Sequence, residues 1–289
     1  MAAAGAHNTT LHQPLGLTAV LLLAPAVLVL IAFFFVPMST IVVGSFTAAN
    51  RGAISFSFAN YVEIITDDFY WEVLLRTVRV SFYTTVVALV VSYPAALFLY
   101  LSQGTWRRIF LLIVISPLFI SVVVRTYGWI VILSPNGALN SVIPGGLPFR
   151  LLFTEPGIVI GLVHVYVPFM LLALNASLAK IDTRLLSAAA SLGASNFRAF
   201  RDIIVPLSVP GIMAGCTIVF TVAITAFSTP VLLGGSRSKT MAYVIYQQVM
   251  FMSNWRTGAA LAIGLVVTTF LLVFLFNRGM KLLNRNASS

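Results

Sequence analysis

Acidic side chains are scarce in this sequence: 7 Asp and Glu stand among 289 residues, against 17 Lys and Arg. Charged residues make up 8% of the chain, about a third of what a soluble domain carries. No acid falls inside an apolar block, so nothing there can relay a proton, which argues against a proton-driven carrier. Paired carboxylates and a G-x-S-x-G elbow are missing from those blocks too, which leaves an intramembrane protease without a catalytic group. Cysteine occurs once, as Cys216 in an apolar block, which excludes a disulfide framework and a cysteine metal cluster. Its expected role is that of a small packing residue. A phosphate-cradling loop is also lacking. Gly234-Gly235 and Lys239-Thr240 come near one, but the pattern needs glycine at both 233 and 238, where Leu233 and Ser238 stand.

What is present is apolar. Hydrophobic residues reach 60% and the mean hydropathy is +1.02, values that exclude a soluble domain. They come in blocks of about 20, the length an α-helix needs to cross a bilayer core. The net charge of +10 is dispersed, with no basic stripe, so it reads as membrane-loop anchors and not as a nucleic-acid surface.

The blocks predict six spans: Leu17–Val43, Val80–Leu101, Ile109 to about Leu133, Ile158–Leu178, Leu207 to about Thr229, and Gly258–Phe276. The fold class expected is all-α, an integral membrane bundle of six transmembrane helices forming one domain over residues 1–289. Met1–Gly16 is polar, holds His7 and His12, and lacks the basic n-region of a secretory signal. Phe46–Arg76 reads as a long polar-aromatic loop with Glu63, Asp67, Asp68 and Glu72, and with a short interfacial helix. Pro25, Pro37, Pro94, Pro117, Pro168 and Pro210 lie within spans and are expected to kink them. His164 is expected to be a hydrogen-bonded packing residue. Small residues four apart, Gly258 with Ala262 and Ala260 with Gly264, suit close helix approach, within the subunit or against a second one.

The most informative stretch is polar-punctuated and runs from Ile181 to Gly211. Asp182 or Thr183 can cap a helix in which Leu185, Leu186, Ala189 and Leu192 recur at helical spacing. Gly193 falls where a left-handed C′ residue is wanted. Asn196 can cap a second helix, which Pro206 is expected to limit. Helices this short are marginal alone, and Ala188-Ala189 leave room for a partner surface. This predicts a docking element.

The same residues resemble the cytoplasmic loop of permease subunits of bacterial binding-protein-dependent ABC importers, E-A-A, three residues, Gly, nine residues, I-x-L-P. Ser187-Ala188-Ala189, Gly193 and Ile203-x-Val205-Pro206 stand in that register, followed by Leu207-Ser208-Val209-Pro210-Gly211-Ile212. Ser187 replaces the motif's Glu and brings no carboxylate there; Val205 replaces its Leu. The resemblance implies a type I permease fold in a bacterial inner membrane, with residues 181–206 coupling to an ATPase through Asp182, Ser187, Ala188, Ala189, Gly193, Ile203, Val205 and Pro206. It further implies a dimeric ABC ATPase holding ATP and Mg, with no cofactor bound by this chain. A second permease, a periplasmic or lipid-anchored solute-binding protein and membrane lipid are the other partners implied.

Further segments are similar to the spermidine/putrescine branch of these permeases. They are Val124-Arg125-Thr126-Tyr127-Gly128-Trp129 with Pro135-Asn136-Gly137-Ala138-Leu139-Asn140, Ser92-Tyr93-Pro94, Thr229-Pro230-Val231-Leu232-Leu233-Gly234-Gly235, Ile245-Tyr246-Gln247-Gln248 and Asn254-Trp255. That resemblance implies a polyamine as solute; another small organic or anionic solute, or an ATP-independent carrier or channel, are the alternatives. A polycation without carboxylates in its path wants aromatic faces. Of Tyr83, Tyr93, Tyr127, Trp129, Tyr166, Phe169 and Phe227, the pair beside Arg125 and Thr126 is the choice, Tyr127 and Trp129. Arg125 is expected to escape by snorkelling to the outer interface.

With cytoplasmic termini, inside loops hold Arg107, Arg108, Lys180, Arg184, Arg198, Arg201, Arg278, Lys281 and Arg285, nine of the 17 basic residues, a slim positive-inside excess. The docking loop decides the orientation, because it must face the ATP-bearing side. A cysteine placed at Thr66 or Ser236 is therefore expected to react with an impermeant maleimide from outside in intact spheroplasts, and one at Ser195 is not. Outside labelling at Ser195 would invert the topology.

Overall fold

The computed structural model describes residues 17–50, 53–142 and 150–287. His7, His12, Arg51 and residues 143–149 lie outside them. Five helices among the described residues are long and apolar enough to cross a membrane, or six if one bent pair counts as a span.

The first span joins α1 (Leu17–Leu30) and α2 (Val36–Ser45) through a π turn, Ile31–Phe35. Pro37 lacks an N–H and its ring crowds the carbonyl four residues back. The turn before it widens, so that the Val36 N–H donates five residues back, to the Ile31 carbonyl. This span is apolar on every side and none of its apolar window is buried, as suits a helix whose solvent is lipid. A hairpin of β1 (Thr47–Asn50) and β2 (Ala53–Phe56), antiparallel with Thr47 opposite Phe56, and α3 (Ala59–Thr66) occupy most of the expected long loop. Phe46 stacks on Phe56 and packs on Phe58 and Tyr61, holding that unit together.

The second span, α4 (Asp68–Leu101), begins well before the expected Val80 because the Asp67 side chain accepts from the Phe69 N–H and caps it there. The third is not one rod. It comprises α5 (Thr105–Ile115), a 3₁₀ turn at Ser116–Phe119, α6 (Val122–Leu133) and α7 (Ala138–Val142), and the two halves meet at 97°. Pro117 cannot continue the ladder, and Ile120 and Ser121 turn extended behind it. Then follow α8 (Glu155–Leu178), α9 (Arg184–Ser191), α10 (Asn196–Ala199), a π turn at Phe200–Ile204, and α11 (Val205–Ile224). Finally come α12 (Ser228–Gly234), α13 (Met241–Met250) and α14 (Trp255–Ala287). The fifth span thus ends at Ile224, before the expected Thr229, and α12 is a separate short helix.

The core lies where α4, α8 and α11 pack together, around Leu99, Ile158, Met170, Leu171, Leu174 and Val219, all fully buried. Lipid tails are as apolar as leucine, so this contact rests on close fit. Glycines supply it. Gly161 faces Leu233 and Thr229 of α12, and Gly215 faces Met170. Buried hydroxyls close on the carbonyl one turn back, as Thr77 does on Val73 and Ser81 on Thr77. The small residues of α14 divide: Gly258 packs against Val249 within the chain, whereas Gly264 faces open space.

A methyl added at Gly211 would lie 2.4 Å from Ser177 Cβ and 3.1 Å from the Ala173 carbonyl oxygen. Gly211→Ala is expected to destabilise the bundle by about 1–3 kcal/mol through overpacking, lowering the Tm of the detergent-solubilised protein. Gly264→Ala, whose methyl meets nothing within 4 Å, should leave it unchanged or raise stability by about 1 kcal/mol through helix propensity. Equal Tm values for the two variants would contradict the close α8–α11 approach.

Candidate functional site

The docking loop stands out in the open. Ser187, Ala188 and Gly193 are exposed, and the large apolar Leu192 and Phe197 present 89% and 71% of their surfaces. Asp182 supplies the entry acceptor, its Oδ1 taking the Arg184 N–H at 2.9 Å. Ser187, at the motif's Glu position, turns its hydroxyl back to the Thr183 carbonyl at 3.5 Å. Gly193 has φ +80°; its N–H donates to Ala190 and that of Ala194 to Ala189, both at 3.0 Å. This is a Schellman close with Gly193 at C′. Nothing lies within 4 Å of a Cβ there, so conformation alone calls for glycine.

Two details differ from expectation. The second helix is capped by Ser195, whose Oγ accepts from the Arg198 N–H at 3.3 Å, and not by Asn196, which is its first residue. Nor does Pro206 end that helix. Residues Asn196–Ile224 run as one span, because the π turn Phe200–Ile204 absorbs the proline's missing donor, as at Pro37. Ile203 and Val205 are half-buried where the loop enters the bundle, and Pro206 is exposed.

Two tyrosines of α4 hold the loop's ends. Tyr100 Oη donates to the Ile181 carbonyl at 3.3 Å where the loop begins. Where it ends, Tyr93 Oη pairs with Ser208 Oγ at 2.8 Å, and its ring packs edge-on against Phe200.

On the other side of the same helix bundle lies a cavity of about 880 Å³ between α4, α6, α8 and the 3₁₀ turn. Its walls are apolar, with Val87, Val91, Val114, Val159, Val163 and the prolines 117, 156 and 168. On α8 it extends from Glu155 to Pro168, about 20 Å at 1.5 Å per residue. Its aromatic members are Tyr83 and Trp129. Trp129 Nε1 donates to His164 Nδ1 at 3.1 Å, leaving the neutral imidazole its proton on Nε2. His164 is thus hydrogen-bonded, and it also lines the cavity.

The mouth carries charges that the sequence reading left in loops. Arg79 Nε donates to Glu155 Oε2 at 2.8 Å while its Nη2 bonds Oε1, a bidentate pair. Arg76 Nε lies 3.3 Å from the same carboxylate, and Arg76 also bonds Glu72. The readable signal was Thr154-Glu155-Pro156: an acid and a proline in a first turn open a helix and put Glu155 at its start.

Of the residues chosen from sequence for the solute path, Trp129 alone lines this cavity. Tyr127 is 56% exposed on another face of α6. Arg125 is half-buried, and its Nε and Nη1 are enclosed without a hydrogen-bond partner. Its neighbour Thr126 is tied to Thr229 of α12 and Trp129, one turn on, to His164, the tenth residue of the 24-residue α8, which places this turn of α6 against the middle of α8. The chain's seven acids are elsewhere. Glu63, Asp67, Asp68, Glu72 and Glu155 stand where α3, α4 and α8 end or begin, and Asp182 and Asp202 in the docking loop.

Residues 14–289 match the family model described as "Binding-protein-dependent transport system inner membrane component". The chain is 35% identical over 263 residues to the spermidine/putrescine transport system permease protein PotB of Haemophilus influenzae, covering 89% of this chain and 92% of that protein. To PotB of Escherichia coli K12 it is 34% identical over 263 residues, with 89% and 95% covered. In fold it resembles a chain of a bacterial alginate ABC transporter, solved in complex with an alginate pentasaccharide-bound periplasmic protein. There the TM-score is 0.77, the identity 18%, and the coverage 91% of this chain and 94% of the other. The long docking motif, the membrane bundle around it and a match over nearly all residues agree: this chain belongs to the family of binding-protein-dependent transport system inner membrane components, the permease subunits of ABC importers.

Proposed function

We propose that this permease carries a polyamine of the spermidine/putrescine type into the cytoplasm. The observation that carries the reading is the likeness to spermidine/putrescine permeases along about nine tenths of the chain. The cavity is compatible with it: a flexible aliphatic cation meets apolar walls for its methylenes, and the faces of Tyr83 and Trp129 for its ammonium groups. Selectivity then resides mainly in a periplasmic or lipid-anchored solute-binding protein. Both termini and the docking loop face the cytoplasm, where a dimeric ATPase supplies ATP and Mg. A second permease completes the pathway, and the whole chain acts as one transmembrane domain. ATPase closure reaches the cavity through residues 181–206 by way of α4.

Two variants test the coupling and the solute separately, both in the complete transporter reconstituted with its ATPase and binding protein. A side chain at Gly193 meets the left-handed penalty of about 1–2 kcal/mol, which distorts the Schellman close while leaving the membrane bundle intact. Gly193→Leu is therefore expected to insert normally but to uncouple ATP hydrolysis from uptake; normal uptake would refute the docking role.

For the solute, a desolvated cation–π contact is worth about 2 kcal/mol, and about 1.4 kcal/mol is a factor of ten. Trp129→Ala is expected to lower labelled-spermidine uptake roughly ten-fold or more. Trp129→Phe, which keeps the ring face and loses the bond to His164, should retain part of it. Uptake unchanged in Trp129→Ala removes the cavity from the cation's path.

A further inference from the structure

Among the described residues, Arg125 is a partly buried charge within the bundle for which the fold supplies no ion pair. Two of its guanidinium nitrogens, Nε and Nη1, are shielded from solvent and bonded to nothing. Thr126, beside it, is tied to Thr229 of α12 at 3.2 Å, and Trp129, one turn on, to His164 of α8. α6 is thereby pinned against the middle of α8, and Arg125 with it. A guanidinium cannot shed its proton in a protein, and a buried unpaired charge is strongly disfavoured. Its Nε and Nη1 stay enclosed by the bundle.

An anion is therefore wanted at this depth, and the chain does not supply it. Its seven acids all stand at helix ends or in the docking loop. A second copy does not supply it either. Two copies related by an axis along the membrane normal hold each residue at the same depth, so the copy's acids would also lie at the membrane surfaces. Lipid phosphates lie at the interface, outside a hydrocarbon core of about 30 Å. Nor does a polyamine, being cationic, answer it.

We propose that Arg125 takes a carboxylate presented at mid-membrane depth by a second permease of different sequence, forming an ion pair within the interface between the two subunits. This rests on the reading of the chain as one permease of a polyamine importer. A bidentate guanidinium–carboxylate pair enclosed on both sides satisfies the two orphaned nitrogens. It also fixes which subunit can be the partner, since a chain lacking the acid leaves Arg125 bare.

The test uses the whole transporter, this chain being tagged and co-expressed with its ATPase and its second permease. Native mass spectrometry reads the membrane subunits that copurify. Arg125→Gln is expected to lower the recovery of the second permease ten-fold or more, and Arg125→Lys to lower it less. Changing Asp or Glu in the middle of the second permease's spans to the amide, one at a time, should find one that reproduces the loss. Combined with Arg125→Gln, that amide should restore assembly, because neither charge is then left alone. A merely structural arginine would show no such restoration. Full recovery with Arg125→Gln and normal labelled-spermidine uptake overturns the pair and leaves the polyamine reading standing. Full recovery with uptake lost places the anion in the solute and overturns both. A purified transporter holding two copies of this chain and no other permease overturns the pair as well.

Discussion

Inside a bilayer every backbone N–H and C=O must find its partner within the protein, and each proline removes a donor from a ladder that has no water to fall back on. Much of this chain's irregularity follows from that constraint. At Pro37 and Pro206 the turn before the proline widens to a π turn and the helix continues as one span. At Pro117 the chain instead leaves the helix, passes through a 3₁₀ turn and re-enters at 97°. A break of that size is tolerated where it lines a cavity and not where it faces lipid. Pro117 does line the cavity, together with Pro156 and Pro168 of α8. The break and the cavity are one feature: the bent α5–α6 pair opens the space that a straight third span would have filled.

The docking loop and the cavity share α4. Its C-terminal turns grip both ends of the loop, at Ile181 through Tyr100 and at Ser208 through Tyr93. The turns before them contribute Arg79, Tyr83, Val87 and Val91 to the cavity. Between Tyr100 and Arg79 lies continuous helix, rigid against bending except at Pro94. A displacement of the loop is passed along α4 with no flexible linker between. For the proposed coupling this is a contiguous physical carrier, with α8 packed along α4 by close contact.

Legibility from the sequence followed the range of the cause. Gly193 could be placed because a left-handed C′ residue follows from its own helix, and the spans because hydropathy is local. Pro206 was misjudged because a proline's missing donor has two remedies, a stop or a π turn, and the choice depends on what packs around it. Here Ser208 and Ile204 are buried against the bundle, which favours going on. The Arg79–Glu155 pair was out of reach, since its members lie 76 residues apart and each looks like a loop charge. Arg125 was read as snorkelling from its place near a span's end. That span turns out to be broken, and the same position along the chain lies deep.

The scarcity of acids now has a physical sense. For a solute to pass, each site must bind well enough to accept it and weakly enough to release it. A carboxylate deep in a low-dielectric path would hold an ammonium far more tightly than water does, and release would become the slow step. The cavity keeps its one carboxylate, Glu155, at the mouth and already engaged by Arg79 and Arg76. Below the mouth the described lining is aliphatic and aromatic apart from His164, and a cation–π contact there is worth about 2 kcal/mol or less. Under the polyamine reading proposed above, such a wall leaves the choice of cation to the solute-binding protein. The low charge count that first marked the chain as a membrane protein also leaves its cavity with one carboxylate, and that one paired.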